Sequence, residues 1–122
     1  MKIAVTAREP KLELASEVDP RFGRARCFLI FDTETEEMHV LDNEQNLNAA
    51  QGAGIQAAQT VSESDPEAVV TGNVGPRAFA TLNCAGIRVY IGAKSTVADA
   101  IEAAKAGKLQ TAGGANVEGH WT

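Results

Sequence analysis

"AVVTGNVGPRAFATLNCAGIRVYIG", residues 68–92, decides the fold. AVVTG (68–72) is a short apolar run rich in β-branched residues and reads as a buried strand. NVG (73–75) turns the chain. Pro76 suits the first turn of a helix, where its fixed φ is helical and its missing N–H would have no partner anyway. PRAFATLNCA (76–85) therefore reads as a helix, and Gly86 stands where a left-handed residue ends one. IRVYIG (87–92) reads as the next strand. A strand, a helix and a strand in so short a span imply a parallel pair with a crossover helix.

The flanks extend this unit. Upstream, AGIQAAQTVSES (53–64) carries Ile55, Ala58 and Val61 at helical spacing, and Asp65-Pro66 ends it. Downstream, Thr96 caps VADAIEAAKAG (97–107), where Val97, Ile101 and Ala104 repeat and Gly107 terminates. At the N-terminus, KIAVTA (2–7) reads as a strand. RCFLIFDT (26–33) is nearly continuous apolar, as a central strand should be. After the turn ETEE (34–37), MHVLDN (38–43) alternates, giving a hairpin with a half-buried second strand. EPKLELASEVDPRFG (9–23) holds two prolines and no period, and NEQNLNAAQG (43–52) is polar; both read as loops. The order β, β, β, α, β, α, β, α predicts an α/β domain with a mixed five-stranded sheet and three helices on both faces. One domain is expected over 1–109, with the glycine-rich 110–122 as a loosely held tail.

The formal charge of −5 argues against non-specific nucleic-acid binding, which needs a basic face. Against that balance, DPRFGRARC (19–27) puts three arginines, Arg21, Arg24 and Arg26, into six residues. Cys27 and Cys84 form no Cys-x-x-Cys pair, which points to free thiols in a reducing compartment. The opening MKIAVTAREPK (1–11) meets charge too soon for a signal peptide or a membrane span, so a soluble, cytoplasmic protein is expected.

Ligands of open α/β sheets bind beyond the carboxyl ends of the strands. Three loops belong there: DPRFGR (19–24), AAQGAG (49–54) and TGNVGP (71–76). Helix N-termini supply N–H groups and partial positive charge. Gly52, Gly54, Gly72 and Gly75 permit close backbone approach, and Arg21 and Arg24 add forked donors. Arg77, in the first turn of a helix, opposes the macrodipole; it is held for a ligand or points to water. Each feature also has a plain reading: glycines that only serve packing, a simple turn, solvated arginines. TGNVGP matches neither the phosphate-loop nor the dinucleotide pattern.

Catalytic chemistry is poorly supplied. No Ser-His-Asp order, H-E-x-x-H or nucleophile elbow occurs. KIAVTA and AVVTG carry no carboxylates, which weighs against two-metal hydrolysis. His39 and His120 lack partners at metal-ligand spacing, Cys27 and Cys84 read as structural, and Asp19 reads as the cap of the turn at Pro20.

The segments MKIAVTA (1–7), FGRARCFLIFD (22–32), GAGIQAAQ (52–59), VVTGNVGPRAF (69–79), AGIRVYIG (85–92) and TVADAIEAAKAGKL (96–109) resemble, in order and spacing, the dinitrogenase iron–molybdenum cofactor biosynthesis family of NifX-like and NifB-C-terminal-like domains. The resemblance implies a ribonuclease-H-like three-layer α/β/α fold. It implies a non-enzymatic carrier of an anionic metal–sulfur cluster, with cluster-donor or acceptor proteins as partners. SEVDPRFGRA (16–25) and the scarcity of histidine are most similar to a branch in sulfate-reducing bacteria that holds a molybdenum–copper sulfide cluster; an iron–molybdenum–sulfur precursor is the alternative cargo. With such cargo the three loops form one anion pocket, whose expected binding residues are Arg21, Phe22, Gly23, Arg24, Gly52, Ala53, Gly54, Ile55, Gly72, Asn73, Val74, Gly75 and Arg77, with Asn73 as a side-chain donor and no direct metal ligand. Many members have histidine where this chain has Arg21, and again in the loop that is NEQNLNAAQ (43–51) here. That departure suits a preassembled cluster held through its sulfides. A monomer without nucleic-acid or membrane partners is expected. A small enzyme acting on a phosphorylated metabolite, or a module docking on an acidic protein, would use the same loops.

Overall fold

A computed structural model describes residues 1–9, 15–43 and 53–114. The elements are β1 (Lys2–Ala7), β2 (Cys27–Asp32), β3 (Met38–Asp42), α1 (Ala53–Glu63), β4 (Ala68–Val70), α2 (Pro76–Cys84), β5 (Arg88–Ile91), α3 (Val97–Lys105) and β6 (Gln110–Thr111). The sheet order is β3-β2-β1-β4-β5-β6. β1, β4 and β5 run parallel, as the crossover argument requires, and β2 and β3 form the expected antiparallel hairpin beside β1.

Side chains alternate through the sheet and build a core on each face. Ala4, Phe28, Ile30, Val69, Val89 and Ile91 meet Ala57, Ala58 and Val61 of α1 and Ala78 and Leu82 of α2. Ile3, Val5, Leu29, Phe31, Ala68 and Val70 meet Val97, Ala100 and Ile101 of α3 on the opposite face. The result is the three-layer α/β/α arrangement with the ribonuclease-H-like strand order.

One expectation is corrected: among the described residues the sheet has six strands, not five. Gln110 and Thr111 pair antiparallel with Ile91 and Tyr90, so the sheet continues past the expected domain boundary at 109. Both residues are exposed and the pairing is through the backbone, so no apolar pattern marked them. Ala112 then donates its N–H to the Val89 carbonyl (2.8 Å) and packs against the α1/α2 core. The rest of the expected tail, 115–122, lies outside the described residues, with His120.

The caps follow sequence logic. The Thr96 hydroxyl accepts from Asp99 N–H at 3.2 Å. Gly86 and Gly107 take the left-handed conformation, with φ 76° and 69°.

Candidate functional site

The carboxyl ends of β1, β4 and β5 share one edge of the sheet. The C-terminal end of α1 is fixed at the opposite edge, where Lys2 Nζ donates to the Ser64 carbonyl and Glu67 N–H to the Lys2 carbonyl (2.8 Å). Its N-terminus therefore returns to the carboxyl edge. α2 starts directly from that edge after β4 and packs beside α1 on the same face. Two helix N-termini thus converge there.

The arginine loop is stitched across this edge. Val18 bridges Ala7, Glu17 bridges Thr96 and Arg21 bridges Asn73. The Pro20 carbonyl accepts from the Asn73 N–H at 2.8 Å and from its side-chain amide at 3.1 Å, and Phe22 N–H returns to the Asn73 carbonyl at 3.2 Å. Beneath lies a buried polar node. The Thr6 hydroxyl donates to the Asp19 carbonyl at 2.6 Å and shares a 3.1 Å bond with the Thr71 hydroxyl, while Asp19 N–H reaches the Thr6 carbonyl at 3.0 Å. At the far end of the loop, buried Asn43 donates its side-chain amide to the Ala25 carbonyl at 2.7 Å.

Asp19 caps the turn at Pro20 as expected: its Oδ1 accepts from Arg21 N–H at 2.9 Å. The same oxygen lies 3.7 Å from Arg21 Nε. Arg21 is half exposed, whereas the Asp19 side chain is almost wholly buried.

The other candidate residues divide by burial. Phe22 is fully buried against Phe28, with ring centroids 5.3 Å apart, and Val74 is buried in the same cluster. Their side chains face the core. Gly23, Ala53, Gly54, Gly72 and Gly75 are buried backbone, so only their main-chain groups can take part. Asn73 uses its side-chain amide on Pro20. Arg21 and Arg77 are exposed, Arg24 and Ile55 partly so. Gly52 lies outside the described residues. The edge thus brings together the 19–24 loop, 71–77 and the start of α1.

The helix starts differ in a telling way. α3, alone on its face, has the Thr96 cap and Asp99 in its first turn. α2 has no side-chain cap at Gly75, and neither α1 nor α2 has an acid in its first turn. A carboxylate there would offset the partial positive charge, and neither first turn carries one.

Burial, reinforced by the Asp42 charge, pushes the Cys27 thiol up to about 11, and its Sγ donates to the carbonyl of Glu9 at 3.2 Å. Cys84 closes α2 at the end remote from the edge, and His39 is on β3 opposite Ile30. Among the described residues no three His, Cys, Asp or Glu side chains form a group able to hold a metal ion. A cleft of about 410 Å³ opens on the α3 side of the loop between Arg8, Glu17, Pro20 and Lys94–Thr96.

Thr6, Thr71 and Asn43 escaped the sequence reading. A signal existed for two of them. IAVT (3–6) and VVT (69–71) each end an apolar run in threonine, and the register Val5 to Val70 sets the two threonines side by side.

Such an edge, with glycine backbone, arginines and an α2 start that has no side-chain cap, tops a small α/β domain built on a ribonuclease-H-like sheet. The sequence matches the dinitrogenase iron–molybdenum cofactor family over residues 1–107, and the chain belongs to that family. Among solved structures it is similar to the apo form of the orange protein from Desulfovibrio gigas, at 40% identity and a TM-score of 0.91, covering 95% of this chain and 96% of that one. It is also similar to a putative NifB protein from Thermotoga, at 34% identity and a TM-score of 0.77, covering 90% and 91%. An uncharacterized protein of Methanocaldococcus jannaschii is 27% identical over 113 residues, 90% of each chain.

Proposed function

We propose that this chain is a non-catalytic carrier that stores or delivers an anionic molybdenum-containing metal–sulfide cluster at the carboxyl edge, with a molybdenum–copper sulfide as cargo ahead of an iron–molybdenum–sulfur precursor. The observation that carries the reading is the pair of converging helix starts, free of acids and, at α2, of any side-chain cap, beside the stitched arginine loop. Family membership and the likeness to the orange protein support it.

The donor set suits such cargo. Cluster sulfides are large, diffuse acceptors, and they are met well by N–H groups, guanidinium forks and a shaped wall. Arg21, Arg24, Arg77 and the main chain of Gly72, Gly75 and 53–54 are the groups assigned to the cargo, with Ile55 as an apolar wall. Cluster-donor and acceptor proteins would meet this edge, because the cargo is held at the surface.

The test is metal and sulfide analysis, with a visible spectrum, of protein purified anaerobically from its native host. Molybdenum, copper and sulfide in fixed ratio with charge-transfer bands is the expected result. Iron with molybdenum would shift the cargo to a nitrogenase precursor. Colourless, metal-free protein from metal-replete cells would overturn the carrier reading.

A further inference from the structure

A turn at Pro20 needs only an acceptor at position 19, and asparagine or serine would supply it. The chain instead uses a carboxylate there, nearly buried, at the edge proposed to receive an anion. Placing that charge under the loop costs desolvation and works against anion binding, so it calls for a specific role.

The surrounding bonds define it. Asp19 is clamped through its own backbone: its N–H is bonded to the Thr6 carbonyl (3.0 Å) and its carbonyl to the Thr6 hydroxyl (2.6 Å). Its carboxylate cannot follow the solvent. Arg21, by contrast, is half exposed, and its Nε approaches Oδ1 at only 3.7 Å, beyond good hydrogen-bond range. A fixed anion thus faces a movable cation. When no cargo is present, Asp19 is the counter-charge to Arg21. An arriving anion competes with Asp19 for the same guanidinium.

We propose that Asp19 is a resident counter-ion that competes with the cargo for Arg21, and so lowers the affinity of the edge to a level from which the cargo can be released. This rests on the reading of the edge as an anion carrier. Asp19 is a positioning residue, and its effect runs through Arg21.

The consequence has an unusual sign: removing a buried, bonded group tightens binding. Asp19→Asn keeps an oxygen for Arg21 N–H and removes the charge. The probe is tetrathiomolybdate, a sulfide-coated molybdenum anion, titrated anaerobically into the whole chain and followed by absorbance and equilibrium dialysis. Asp19→Asn is expected to bind about three- to tenfold more tightly than wild type and to release the probe correspondingly more slowly, the scale of one partly screened charge pair. In Asp19→Asn/Arg21→Ala the gain should vanish, because the gain requires the guanidinium. Structural damage alone would weaken binding instead. A stably folded Asp19→Asn protein with unchanged or weaker affinity overturns the inference, as does a gain that persists without Arg21. Should Asp19→Asn fail to fold, the wild-type Arg21 Nε–H resonance decides: it should shift on adding the probe, and a stationary signal under saturating probe overturns the inference. Failure of the wild type itself to bind overturns the carrier reading and this inference with it; binding by the wild type without the Asp19 effect overturns this inference alone.

Discussion

Pro20 and Gly72 are in backbone contact. A β-carbon on Gly72 would meet the Pro20 Cα at 2.8 Å, its carbonyl oxygen at 3.0 Å and its Cβ at 3.1 Å. This glycine is therefore required for the arginine loop to lie on the end of β4. Gly72→Ala must push rigid backbone aside, breaking the Asn73–Pro20 pairing. The protein should fold with a loss of about 1–3 kcal/mol, as other overpacking substitutions do. Tetrathiomolybdate retention should fall with it. Urea unfolding and dialysis check both, and wild-type values for Gly72→Ala would show that the loop does not need this contact.

Phe22 tests the division between wall and core. Its ring is fully buried against Phe28. Phe22→Ala should cost about 3–5 kcal/mol, the usual range for emptying a buried aromatic site. Phe22→Leu, which keeps most of the volume, should bind tetrathiomolybdate as the wild type does. A large loss of binding in a stable Phe22→Leu protein would put the ring in contact with cargo.

The fold was legible because its decisive signals are local. Apolar runs too short for helices, Pro76 opening a helix and Gly86 closing it describe a strand–helix–strand unit without tertiary information. β6 was not legible, since an exposed Gln-Thr pair joins the sheet through main-chain bonds alone. The site was legible as a neighbourhood and not as a set of contacts. Glycines and arginines in three loops at one edge can be placed from topology. That Phe22 turns inward, that Asn73 spends its amide on Pro20 and that Asp19 lies against Arg21 depend on how a loop without period is folded down.

The two thiols should separate by pH. Cys27 is buried with its thiol pushed up to about 11, and Cys84 is exposed. At mildly alkaline pH, iodoacetamide should label Cys84 in the native protein, and Cys27 only after unfolding. The sign for stability follows from the same shift. The folded state holds the Cys27 proton more tightly than the unfolded chain does, so this contribution is whole below the unfolded thiol value of about 8.5. It is lost as pH rises from there through the folded value of about 11. Cys27→Ala should therefore show a flatter fall of Tm across that window than wild type. Identical slopes would mean that Cys27 is ionised alike in both states.

Arg24 and Arg77 should act on cargo rather than on the fold. Arg77 is exposed at the first turn of α2, where its charge opposes the helix dipole and so contributes nothing to helix stability. Arg77→Ala should leave the melting temperature unchanged or slightly raised while weakening tetrathiomolybdate binding by about three- to tenfold, the scale of a partly exposed charge-assisted contact. Arg24→Ala should weaken binding on the same scale. Both losses should shrink as salt rises from low to molar concentration, because the Debye length falls from about 30 Å to about 3 Å over that range. Lys105→Ala, at the last turn of α3, is the control and should leave binding untouched. Binding that is insensitive to Arg24, Arg77 and salt alike would take these two arginines out of the site and leave Arg21, the helix starts and the main-chain amides of the edge as its donors.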